Sequence, residues 1–206
     1  AGSGGDPALG EAMAVLTRRT HETTFPDLIS ALMGERGRIA RILERHGDAR
    51  SLHDGVCDVL GLDPATTPDG LEQQFCASTS FDDKGLRGVL EVLDQGGKTD
   101  QKNQPVLAGW LSSDTAARRS MIDDYAGIYL TGKHEIRSKL CTKAVETLAP
   151  GASDTLYVEA VRCERFLEAR KALIVAEATL SLLTLADRLS TRYARMKALR
   201  NVLDYD

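Results

Sequence analysis

Aromatic residues are scarce: they make up 5% of 206 positions, with a single Trp. Scarce aromatics together with recurrent Ala, Leu and Arg favour helices. Nowhere do four or more residues alternate apolar and polar between turn signals, so no strand is predicted. No apolar run approaches the roughly 20 residues needed to cross a bilayer. A secretory leader, with its charged start, apolar stretch and cleavage site, is also missing, and the expected location is cytoplasmic. The four cysteines (Cys57, Cys76, Cys141, Cys163) form no CxxC pair, and His21, His46, His53 and His134 have no metal-binding spacing. All four cysteines fall in helix-like contexts, where a thiol behaves as a small hydrophobe. There is no GxSxG nucleophile elbow and no DExx box after an apolar strand. No fixed-period repeat is visible, which excludes a solenoid.

What remains is a chain with 42% hydrophobic and 27% charged residues, the composition of a soluble globular protein large enough to bury a core. Ala1 to Gly5 is Gly/Ser-rich, with the composition of a linker or an expression remnant, and stays outside the fold argument. Residues 6–206 read as a single helical domain. Helical signals follow one another from Pro7. Thr24 and Pro26 open one helix. Gly47 closes the next, and another runs from Asp48 to Leu60 and ends at Gly61. Thr67-Pro68-Asp69 starts a helix, as do Asp82 and Asp83, and Gly96-Gly97 stops the latter. Leu107, Trp110 and Leu111 mark a further helix whose start Pro105 limits. Asp114 caps one that buries Met121, Ile122, Tyr125, Ile128 and Tyr129. Gly132 to Lys143 is irregular, either a short hairpin or a loop.

From Ser153 to about Leu203 there is neither Gly nor Pro. Leu156, Phe166, Leu173 and Leu180 line one face, with Ala169, Ala176 and Leu183 beside them and Leu189, Tyr193, Met196 and Leu203 continuing it. An unbroken helix of that length would run about 75 Å. It is expected to be a spine for shorter helices, with Leu185 to Arg188 as the place for any break. The class is all-α.

Gly96-Gly97-Lys98-Thr99 resembles the end of a phosphate-binding P-loop. The full pattern needs Gly at position 92, which is Val, and the segment follows a helix rather than a strand. A helix stop followed by a basic turn is the better account. Asp82-Asp83 and Asp123-Asp124 are adjacent carboxylates, but neighbours on a helix do not share a face. A solvated surface or a dipole partner at a helix start accounts for them better than a metal site.

Charge is unevenly distributed. Residues 1–100 carry 10 Lys+Arg against 17 Asp+Glu, and residues 101–206 carry 16 against 13. Any nucleic-acid contact must therefore use a local patch in the second half. The densest basic stretch is Lys133, Arg137, Lys139 and Lys143, with Glu135 interposed, and Lys98 and Lys102 add to it. Such a patch suits phosphates without reading bases, and a solvated loop is the plain alternative.

The last residues, Tyr193 to Asp206 (YARMKALRNVLDYD), resemble the YxxxKxxxxxLDFDDL segment of UvrD-like superfamily 1 DNA helicases, with Lys197, Leu203, Asp204, Tyr205 and Asp206 matching. TFPDLISALMGERGRI, HGDARSLHDGVCDVLGLDP, GGKTDQKN and SKLCTKA look like the AddA subunit of AddAB helicase–nucleases, and the resemblance runs from about Ala8 to Asp206. It implies a fragment, the all-helical 1B insertion of the first motor domain of an enzyme acting in double-strand break repair and recombination. The family's Walker motifs and nuclease residues fall outside the sequence, so no catalytic residue, metal ligand or cofactor site carries over. ATP and Mg belong to the parent enzyme, and the piece is expected to be inactive alone. The implied setting is the bacterial cytoplasm, the implied partners a double-stranded DNA end and an AddB-like subunit, with no membrane. The DNA-contacting residues would be Lys98, Lys102, Lys133, Arg137, Lys139 and Lys143. The alternative is a helical protein-interaction module that docks a partner subunit through its acidic half, without DNA contact.

Overall fold

The structure, a computed structural model, describes residues 6–200, with side chains described as far as Lys197. Ala1–Gly5 and the matched motif residues Leu203, Asp204, Tyr205 and Asp206 lie outside the described residues. Among the described residues there are eleven helices and no strand. They are α1 (Pro7–Arg19), α2 (Phe25–Gly34), α3 (Arg36–His46), α4 (Ala49–Leu60), α5 (Pro68–Cys76) and α6 (Asp83–Leu93). α7 (Lys98–Ser112), α8 (Thr115–Arg119), α9 (Ile122–Tyr129), α10 (Lys143–Leu148) and α11 (Ala152–Arg200) follow. No described helix is long and apolar enough to cross a membrane.

Most helix starts follow local chemistry. The side chains of Asp6, Asp48, Thr67, Asp82 and Asp114 each accept a hydrogen bond from a backbone N–H in the first turn of the helix that follows. Gly61 ends α4 in the left-handed region at φ 68°, a conformation that costs Gly little.

The contacts divide the chain into two compact units. Of the described residues, the first comprises 6–65 and 172–200, and it buries Ala12, Leu16, Leu43, Cys57, Leu173, Ala176, Leu185 and Ala186. Within it Arg19 pairs with Glu177, and Arg188 with Asp6 at 2.6 Å. The second, Thr66–Lys171, holds a continuous apolar core centred on Leu86, Leu107, Trp110, Tyr125, Tyr129, Val145 and Leu156. In this unit α6 packs on α7, α7 on α9, α5 on α8 and α10 on α6. Trp110 stacks on Tyr125 at 3.8 Å between ring centroids, and Phe75 stacks on Phe166 at 4.1 Å.

Three local readings change. Pro105 does not mark a boundary: α7 begins at Lys98 and carries Pro105 inside it. Pro105 is exposed, while Asp100 before it and Leu107, Trp110 and Leu111 after it are buried and pin the helix on both sides. The Asp114-capped helix is two helices. Arg118 is drawn inward to donate to the carbonyls of Trp110 (2.8 Å) and Cys76 (3.0 Å), and the chain turns at Ser120-Met121 before α9. Cys141 precedes α10 in a non-helical stretch, buried with its Sγ 3.3 Å from Ser153 Oγ. The other three cysteines sit in helices and are buried, and burial raises the thiol pKa of all four. Of the two forms left open for the long C-terminal stretch, α11 takes the unbroken one through Leu185 to Arg188, where Leu185 and Ala186 are buried. Its apolar face thins along the chain: Leu156, Phe166 and Leu173 are buried, Leu180, Leu183, Leu189 and Tyr193 are half-buried, and Met196 is exposed.

Candidate nucleic-acid interface

A buried carboxylate ties together two of the helices that bear the basic residues. Asp100, 1% exposed in the first turn of α7, accepts from its own cap, Gly97 N, at 2.8 Å. It also accepts from Thr142 Oγ1 at 2.6 Å and Thr142 N at 3.3 Å. One side chain thus caps α7 and ties it to the start of α10. The two glycines serve this close approach. A Cβ on Gly96 would lie 2.7 Å from Val145, and one on Gly97 would lie 2.9 Å from Thr142. The GGKT segment is therefore no phosphate cradle, since a carboxylate of the chain already fills the anion position at the α7 N-terminus.

The irregular segment 131–142 is neither a full hairpin nor a free loop. Leu130 and Ile136 form a single antiparallel bridge, Thr131 N donates to Glu135 O, and His134 closes the turn at φ 64°. Lys133 sits at the tip, exposed. Arg137 follows the bridge and donates from Nη2 to Gly127 O at 3.1 Å, which holds its guanidinium over the end of α9.

All six basic residues singled out from the sequence are exposed and belong to the second unit. Lys102 and Arg137 both line a cleft of about 460 Å³ between α7 and α9, with Asn103, Asp123 and Asp124 also on its walls. Arg137, Lys139 and Lys143 line a second groove of about 650 Å³ between the 136–143 segment and the first turns of α11. Arg137 is common to both, and to a third depression with His134 and Arg170. Lys98 and Lys133 line none of these. The six residues therefore fall into one group around Arg137, with Lys98 and Lys133 outlying.

Acidic residues share this surface, and two of them have structural partners. Asp123 pairs with Arg170 at 2.9 Å. Glu146 accepts from Ser153 N at 2.8 Å and Gly151 N at 2.9 Å, capping α11, and the bonds to Ser153 and Gly151 hold its carboxyl below the usual range. Sequence reasoning missed Tyr157, which is 54% exposed on the wall of the second groove. Its signal was available: Tyr157 follows Leu156, so it lies about 100° around the helix from the buried face.

A second cluster of polar side chains lies inside the same unit. Tyr125 Oη donates to Glu159 Oε1 at 2.8 Å, Tyr129 Oη donates to Tyr125 Oη at 3.2 Å, and Arg162 Nε donates to both Glu159 oxygens at 2.9 Å. Arg162 also donates to Phe75 O at 2.8 Å and covers the Phe75 ring at 4.0 Å. Burial raises both tyrosine pKa values, keeping the hydroxyls neutral. Every one of these groups is partnered within the protein, so the network orders the core and offers no free acid, base or nucleophile. No group of three or more His, Cys, Asp or Glu suited to a metal ion occurs among the described residues.

Comparison of the chain with family models, curated proteins and solved structures finds no match.

Proposed function

We propose that this chain is an accessory, DNA-facing helical module, AddA-like and equivalent to the 1B region of a UvrD-like superfamily 1 helicase–nuclease. The family part rests on the sequence resemblance. The observation that carries the DNA-facing part is the convergence of Lys102, Lys139 and Lys143 on a positioned Arg137. The unit bearing them has 14 Lys+Arg against 16 Asp+Glu over residues 66–171, so the positive face is local. Cations of this kind contact phosphates and position a duplex without reading its sequence. The test is a titration of a duplex oligonucleotide with the 206-residue chain at several salt concentrations. Binding should weaken steeply with salt, and replacing Lys102, Arg137, Lys139 and Lys143 with Gln should flatten that dependence. Unchanged affinity and slope in the quadruple variant would reduce the surface to a solvated loop.

In the second reading, docking of a partner subunit through the acidic half, Val59, 87% exposed at the end of α4, would lie in the interface. Val59→Asp should then abolish co-purification with the partner subunit and leave DNA affinity intact.

A further inference from the structure

Among the described aromatic side chains, all but one are buried or half-buried, and the exception is Tyr157. It stands on the wall of the groove that also presents Arg137, Lys139 and Lys143, with the half-buried Leu140 on the groove lining. A ring of this kind is a flat, sequence-tolerant platform. Lysines and an arginine beside it supply charge for a backbone running past. Duplex DNA keeps its bases stacked inward and offers such a ring nothing to stack on. An unpaired strand offers both base faces and phosphates.

We propose that the Tyr157 groove binds single-stranded nucleic acid, with a base stacked on Tyr157 and the flanking phosphates held by Lys139, Lys143 and Arg137. The inference rests on the DNA-facing reading and specifies the form of the ligand at this groove. Two acidic side chains are present. Glu146 is occupied in capping α11, and Asp154 is exposed on the lining, so the groove keeps three cations against two anions. Stacking is therefore required to give affinity that charge alone would not.

The test uses the 206-residue chain, an oligothymidylate of about a dozen nucleotides and a duplex hairpin, each followed by fluorescence anisotropy. Tyr157→Ala should weaken oligothymidylate binding about tenfold, leave hairpin binding unchanged and keep the salt slope, because stacking releases no counterions. Tyr157→Phe should retain the affinity, since the ring face is kept. Lys139→Gln should lower the oligothymidylate salt slope by about 0.7. If the unaltered chain binds neither form, the DNA-facing reading falls with this one. Should DNA be bound while Tyr157→Ala leaves oligothymidylate affinity unchanged, or weakens both forms alike, this inference alone is overturned. Displacement of the oligonucleotide by oligoglutamate of equal charge, with both weakened by Tyr157→Ala, would also overturn it and make the groove an acidic-peptide site.

Discussion

At the scale of single residues, the basic surface depends on a side chain that carries no positive charge. Asp100 satisfies two backbone donors and one hydroxyl from inside the protein, two of them 42 residues further along the chain. Asp100→Ala should cost about 2–3 kcal/mol in urea denaturation, since a cap is lost and two Thr142 donors are orphaned. It should also weaken duplex binding without removing a cation, because Lys98 and Lys143 stand at the helix starts that Asp100 ties together. Two other carboxylates contribute to stability in a way that depends on pH. The pKa values of Glu146 and Asp48 are lowered in the folded protein, first by a backbone hydrogen bond from Ser153 and Ser51 respectively. Their contributions are therefore complete above the ordinary values of 4.5 and 3.8 and are lost as pH falls through the lower folded values. Denaturation between pH 7 and pH 3 should show a shallower acid loss for the Glu146→Gln, Asp48→Asn double variant than for the unaltered chain. Parallel curves would deny the two carboxylates this role.

At the scale of elements, capping chemistry was the most legible signal. Asp48, Thr67, Asp82 and Asp114 each start a helix where the sequence placed one, because an N-cap needs only neighbours a few positions away. Pro105 and Arg118 were not legible, for they depend on partners distant in sequence: the tie from α7 to Thr142, and the carbonyl of Cys76. The groove around Tyr157 was hidden for the same reason, since its walls come from two segments that meet only in the fold. Pro105 lies exposed in a helix interior, so Pro105→Ala restores a missing donor. It should raise stability by about 1–3 kcal/mol, read as an increase in Tm, less whatever the freer unfolded chain takes back. Along α11 the periodicity placed Leu173 and Leu180 on one face, but only Leu173 is buried. Leu173→Ala should cost about 2–5 kcal/mol and Leu180→Ala roughly half as much. Equal losses would mean that the apolar face does not thin where the structure places the change.

At the scale of the whole molecule, charge and chemistry are both locally confined. A net charge of −4 gives no general attraction for polyanions, so the proposed contact with nucleic acid needs a local basic surface such as the one around Arg137. With the anion position of α7 filled by Asp100, the chain should not hydrolyse ATP, with or without DNA. DNA-stimulated hydrolysis that disappears in Lys98→Ala would contradict this. The single tryptophan also has a use that follows from its position. Trp110 belongs entirely to the Thr66–Lys171 unit, sealed from water and stacked on Tyr125 at an interplanar angle of 6°. Its emission is thus an intrinsic optical reporter of one unit alone, while the far-ultraviolet signal of the helices reports both. Superimposed melting curves from the two signals would mean that the units unfold as one, and separated curves would time the second unit's loss of structure without any label.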